Sequence, residues 1–127
     1  MNKPTIILID DDKWITDFYG ARLQEDNFNI FSANNGAEGI KLIKLYKPDL
    51  ILLDIVMPGG DGFYVLEQIK KNEATKNIPI IILTNLSNDK DRELAKKLGA
   101  DYYLVKVNYT PSQVTDKIKE ALALTDK

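Results

Sequence analysis

The chain has 127 residues, 44% of them apolar and 28% charged, the makeup of one ordinary globular domain built around a single core. Its 17 basic and 19 acidic residues are interspersed and leave a net charge of −2, so no basic footprint for nucleic acid and no membrane-binding face is expected. Histidine and cysteine are absent, which excludes Ser-His-Asp catalysis, imidazole bases, thiol nucleophiles and thiolate metal sites.

Carboxylate, hydroxyl and lysine chemistry remains, and it favours a hard, oxygen-bound cation such as Mg²⁺, with Mn²⁺ as a substitute. The apolar runs are far too short to span a bilayer, no signal peptide is read at the start, and no disulfide framework is possible. A cytoplasmic protein is the expectation.

In chain order, strand and helix alternate. Thr5 to Ile9 reads as a first strand, ending in Asp10-Asp11-Asp12. A helix is predicted over about 13–26, with Ile15, Phe18, Tyr19 and Leu23 at helical spacing. Core packing is expected for Phe18, whereas Trp14 is the candidate for an exposed partner contact. The second strand, about Phe28 to Ala33, is the least apolar and is expected at a sheet edge. Asn35 then caps a helix, with Glu38 three residues on, and Ile40, Leu42, Ile43 and Leu45 recur along it until Pro48 stops it.

Leu50 to Leu53 is apolar without alternation, as suits a strand covered on both faces, and Asp54 stands at its tip. The loop Met57-Pro58-Gly59-Gly60-Asp61 leads into a helix over about Gly62 to Asn72. Ile80 to Leu83 is a fourth strand ended by Thr84. A charged helix, about Asp89 to Leu98, closes at Gly99, and its Asp89, Lys90, Asp91, Arg92 and Glu93 are expected to form a solvated face. Tyr102 to Val105 is the fifth strand, followed by Lys106. Thr110-Pro111-Ser112-Gln113 is a capping box with proline at the first helical position, launching a helix through about Leu122.

Helical crossovers between successive strands imply a parallel sheet. The expected fold is α/β, a doubly wound, flavodoxin-like sheet of five parallel strands in the order 2-1-3-4-5 with five helices. Its ligand crevice lies at the C-terminal tips beside the switch between strands 1 and 3. Asp10, Asp11, Asp54, Thr84 and Lys106 all stand at those tips. Three carboxylates together repel one another unless cations lie among them, and a divalent ion plus Lys106 would balance their charge. Such a site suits an aspartate that accepts a phosphoryl group, with a metal and a lysine on the phosphoryl oxygens and a hydroxyl donating to one of them.

These five positions, with Met57-Pro58 and Gly62, resemble the receiver domain of two-component response regulators, and the resemblance covers essentially the whole chain. It implies that residues 1–127 are a single phosphoacceptor domain. Asp54 would be phosphorylated by a histidine kinase or phosphotransfer protein. Asp11, Asp54 and the backbone carbonyl of Val56 would bind Mg²⁺ directly, and Asp10 would hold it through water. By the same resemblance Thr84 and Lys106 hold the phosphoryl group. Tyr103 is the switch residue that reshapes the surface of the fourth helix, fifth strand and fifth helix for a protein target. The domain is then not an enzyme on other substrates: it promotes only its own phosphorylation and dephosphorylation.

Three positions depart from the pattern. Val107 follows Lys106 where proline across a cis bond is usual, and a cis bond before a non-proline costs about 2.5–4 kcal/mol, so a trans bond is expected. Asn85 replaces a small residue after Thr84, with a side chain long enough to reach the pocket. Gly60 replaces a methionine and is expected to loosen its loop. Val56 and Leu86, two residues beyond Asp54 and Thr84, lie where the family tunes hydrolysis, and their apolar character predicts slow loss of the phosphoryl group.

Three rival readings are a haloacid-dehalogenase-type phosphohydrolase using Asp10 as nucleophile and Asp12 as acid, a receiver-like module that binds a partner without phosphorylation, and a flavin binder. The acidic first loop opposes the last by repelling a flavin phosphate.

Overall fold

The computed structural model describes residues 3–57 and 62–125, with side-chain burial through residue 123. Pro58, Gly59, Gly60 and Asp61, and with them the expectation for Gly60, lie outside the described residues. The elements are β1 (Thr5–Ile9), α1 (Lys13–Glu25), β2 (Asn29–Ala33), α2 (Gly36–Tyr46), β3 (Leu50–Leu53), α3 (Gly62–Lys71), β4 (Ile80–Thr84), α4 (Asp89–Lys97), β5 (Tyr102–Val105) and α5 (Pro111–Thr125). A short 3₁₀ turn, Lys106–Asn108, lies between β5 and α5. The five strands form one parallel sheet in the order β2-β1-β3-β4-β5, as the alternation implied.

Side chains alternate across the sheet and divide the core in two. Ile7, Ile9, Ile51, Leu53, Ile80 and Ile82 pack with residues of α2, α3 and α4. Ile6, Leu8, Leu50, Leu52, Ile81 and Leu83 face α1 and α5 through Tyr19, Leu23, Val114 and Ile118. Both faces are therefore covered, which is why the inner strands carry unbroken aliphatic runs. β2, at one edge, keeps a mixed burial pattern that fits its weaker apolarity.

Helix ends follow local chemistry. Asp12 caps α1 by accepting from the Trp14 N–H at 2.9 Å, and Asn35 caps α2 by accepting from the Glu38 N–H at 2.8 Å. At α5 the box is reciprocal: the Thr110 N–H donates to Gln113 Oε1 at 2.8 Å, and the Gln113 N–H to Thr110 Oγ1 at 3.2 Å. After α4, Gly99 takes φ +108°, a conformation that a side chain would oppose.

Two apolar assignments are corrected. Phe18 is 41% exposed rather than core, because Thr16, Tyr19 and Leu23 define the inner stripe of α1. Phe18 instead stacks on Trp14, with ring centroids 5.2 Å apart and planes 4° from parallel. Leu45 is likewise outside, 67% exposed, while Ile43 carries that turn of α2 into the core. The face of α4 is not merely solvated either. The Arg92 guanidinium lies 4.9 Å from the Tyr103 ring centroid and Nη1 donates to the Tyr103 carbonyl at 3.4 Å, a cation–π contact reinforced by a hydrogen bond.

Candidate functional site: an acidic crevice at the strand tips

Strand register decides which residues meet. Ile9 is opposite Leu53, so Asp10 and Asp54 leave the sheet side by side, one residue later. The ladder continues into them: the Asp10 N–H donates to the Ala33 carbonyl at 3.1 Å and the Asp54 N–H to the Ile9 carbonyl at 2.9 Å. Thr84 pairs with Val105, which places Lys106 just past the tip of the neighbouring strand.

One carboxylate oxygen from each of Asp10, Asp11 and Asp54 fits within a sphere of mutual distances no greater than 4.8 Å. Asp10 and Asp54 are buried and Asp11 is exposed. Lys106 reaches across from β5, with Nζ 2.7 Å from Asp10 Oδ2 and 3.3 Å from Asp54 Oδ2. Asp10 Oδ1 also accepts from the Asp12 N–H at 2.9 Å, and Asp54 Oδ1 from the Val56 N–H at 3.2 Å.

Burial pushes the Asp10 carboxyl above its ordinary range and outweighs the opposing bonds from Lys106 and the Asp12 N–H. Burial acts on Lys106 in the other direction, but there the bond to Asp10 and the charge of Asp54 prevail and hold its pKa above the usual lysine value. One lysine thus offsets part of a charge of three carboxylates. All three donors are hard oxygens, one of them open to solvent, a donor set that fits an octahedral Mg²⁺ retaining several waters.

Thr84 is fully buried, and its Oγ1 accepts from the Leu86 N–H at 3.4 Å. Tyr103 is half-buried and donates through its hydroxyl to the Leu86 carbonyl at 2.9 Å, while burial raises its pKa. Val56 and Val107 are exposed, at 53% and 82%. The Lys106–Val107 peptide is trans, as expected without proline. Asn85, directly after the buried Thr84 at the strand end, is exposed. Asp12 is engaged as the α1 cap, which leaves no support for a role as the acid of a phosphohydrolase.

Sequence reasoning missed Asn34, which donates to the Asp10 carbonyl at 2.9 Å and to Thr16 Oγ1 at 3.2 Å. Its contacts lie 24 and 18 residues away and carry no periodic signal; standing at a strand tip beside the acidic loop was the only available clue.

Comparison with known proteins shows the family and the fold. The model of the response regulator receiver domain matches residues 6–119. Protein PilH of Pseudomonas aeruginosa is 38% identical over 103 residues, covering 80% of this chain and 84% of the relative. The probable transcriptional regulator ycf27 of Porphyridium aerugineum is 35% identical over 127 residues, 100% of this chain and 51% of the relative. The chain spans about half the length of several of the curated relatives it matches. Among solved structures, the receiver domain of the Francisella response regulator 1452 superposes with a TM-score of 0.89 at 28% identity, covering 98% of this chain and 100% of that one.

Proposed function

The chain belongs to the response regulator receiver domain family, and from that premise we propose that it is a phosphorylation-dependent switch with Asp54 as the phosphoacceptor. The observation that carries this reading is the buried Asp54 carboxylate, paired with Lys106 and clustered with the carboxylates of Asp10 and Asp11. An Asp54 oxygen attacks phosphorus in line. The phosphorus–nitrogen bond of a donor phosphohistidine breaks, and the leaving imidazole keeps the electron pair and takes up a proton. The donor is a histidine kinase or a phosphotransfer protein, which supplies the imidazole that this chain lacks. No general base is needed, since a carboxylate is already a nucleophile near neutral pH.

Asp11, Asp54 and the Val56 carbonyl would hold Mg²⁺, with Asp10 acting through water, and the bound ion would supply positive charge against the phosphoryl oxygens. Lys106 bonds a phosphoryl oxygen from the β5 side, and the Thr84 hydroxyl turns to donate to another. The same hydroxyl now contacts the Leu86 N–H, and the Leu86 carbonyl holds Tyr103. A shift of Thr84 toward phosphate is therefore passed to Tyr103 and Arg92, altering the α4–β5–α5 surface that a protein target reads. Residues 1–127 act as one domain in this scheme. The relatives named as transcriptional regulators are about twice its length, and any output they provide is attributed to them alone.

Incubation with acetyl phosphate should add one phosphoryl group per chain with Mg²⁺ present and none with EDTA. After removal of donor, the adduct should persist well beyond seconds, because Val56 and Leu86 offer no polar group to orient an attacking water. Uptake that is indifferent to EDTA would contradict the metal's role, and a half-life of seconds would contradict the slow decay.

A further inference from the structure

The acidic loop is held from outside by an uncharged residue. Asn34, directly after β2, bonds through Nδ2 to the Asp10 main-chain carbonyl and to Thr16 Oγ1. The direction of both bonds is fixed. A carbonyl can only accept, and the Thr16 hydroxyl donates to the Lys13 carbonyl at 3.1 Å, so its oxygen is free to accept.

The Asp10–Asp11 peptide is therefore pinned on its carbonyl side, while the Asp10 N–H is pinned to Ala33 and its carboxylate to Lys106 and the Asp12 N–H. Asp11 differs from its neighbours. It is exposed, and among the described residues no hydrogen bond holds its carboxylate, so the backbone alone determines where it points.

We infer that Asn34 is a positioning residue for the metal: by clamping the Asp10 carbonyl it sets the plane of the Asp10–Asp11 peptide, and with it the direction of the Asp11 carboxylate. The inference rests on the proposed role of Asp11 as a metal ligand. Without the clamp, the peptide can rotate and Asp11 samples a wider arc, so metal affinity falls although the charge of the cluster is unchanged. Outer groups that orient ligands commonly matter this much: their loss weakens metal binding about 10- to 100-fold.

The test is titration of MgCl₂ into wild type and Asn34→Ala, followed by the fluorescence of Trp14, the sole tryptophan, with thermal unfolding measured in metal-free buffer. The variant should bind Mg²⁺ about tenfold more weakly. Its metal-free melting temperature should stay close to wild type, since Asn34 is exposed. Phosphoryl uptake from acetyl phosphate should be slow at limiting Mg²⁺ and recover at saturation. Thr16→Val, which removes the other acceptor, should weaken binding in the same direction, whereas Thr16→Ser should match wild type; this pair decides the matter if Asn34→Ala does not fold. Equal Mg²⁺ affinity in wild type and Asn34→Ala would overturn the clamp and leave the receiver reading standing. A lowered melting temperature with unchanged affinity would overturn it too, making Asn34 structural only. Wild type that takes up no Mg²⁺ would overturn the proposed metal-dependent phosphoacceptor function and this inference with it.

Discussion

Lys106→Met should give a protein that is destabilised at neutral pH and accepts phosphate about a hundredfold more slowly, the scale seen when one preorganised stabilising group is removed from a developing anion. Lys106 Nζ is the cation described between Asp10 and Asp54, and both carboxylates are buried. Removing one partner of a buried ion pair typically costs about 3–5 kcal/mol because the other charge is left behind. Here the loss should be smaller, about 2 kcal/mol without metal, because Asp10 can relieve it by taking a proton.

The pH dependence follows from the same groups. The Lys106 pKa is raised, so its contribution is complete below the ordinary lysine value and disappears as pH rises through the folded-state value. The Asp10 pKa is raised as well, so the folded state favours its protonated form: that contribution is present below the ordinary carboxylate value and is lost as pH rises through the raised value. Ionised Asp10 at neutral pH is thus a liability that Lys106 relieves. The gap between wild type and Lys106→Met should be widest near neutrality and narrow on acidification. Urea unfolding in EDTA at a series of pH values measures it, and a gap independent of pH would refute the assignment.

Gly62→Ala should unfold the protein most readily of the single substitutions considered, by about 3 kcal/mol or more, the upper end of the range for forced overpacking. A Cβ on Gly62 would fall on the Asp54 carbonyl oxygen and within 2.5 Å of the Ile55 Cα. These are backbone atoms, so no rotamer change relieves the clash. The close approach is fixed by the Gly62 N–H, which donates to the Ile55 carbonyl at 2.6 Å and seats the start of α3 against the segment that follows Asp54. Chemical denaturation should show the loss. Mg²⁺ affinity should fall in the fraction that remains folded, because relief of the clash must displace the Asp54–Val56 segment. A variant as stable as wild type would mean that the α3 start does not press on the loop.

The sequence disclosed the frame of this site because its signals are local. Leu50 to Leu53 is apolar without alternation, and only a doubly covered strand makes that run sensible, so Asp54 had to lie at a strand tip. Strand–helix alternation then brought Asp10, Asp11, Thr84 and Lys106 to the same edge. Legibility ended where partners are distant or where a helix stripe is ambiguous. Phe18 is one residue, about a quarter turn, from the inner stripe that Tyr19 and Leu23 occupy, and its stacking on Trp14 keeps it outside. Arg92 on Tyr103 and Asn34 on the Asp10 carbonyl are tertiary contacts with no spacing rule. Nothing in the short Lys-Val-Asn stretch marks the 3₁₀ turn at Lys106–Asn108.

The central claim is that Asp54 is the residue that takes the phosphoryl group, and intact mass after incubation with acetyl phosphate and Mg²⁺ tests it most directly. Wild type should gain the mass of a single phosphoryl group, and Asp54→Asn, which keeps the shape of the side chain but removes its charge, should gain nothing. An adduct of the same size and extent on Asp54→Asn would place the phosphoryl group elsewhere, with Asp10 and Asp11 the first residues to examine, and would contradict the account.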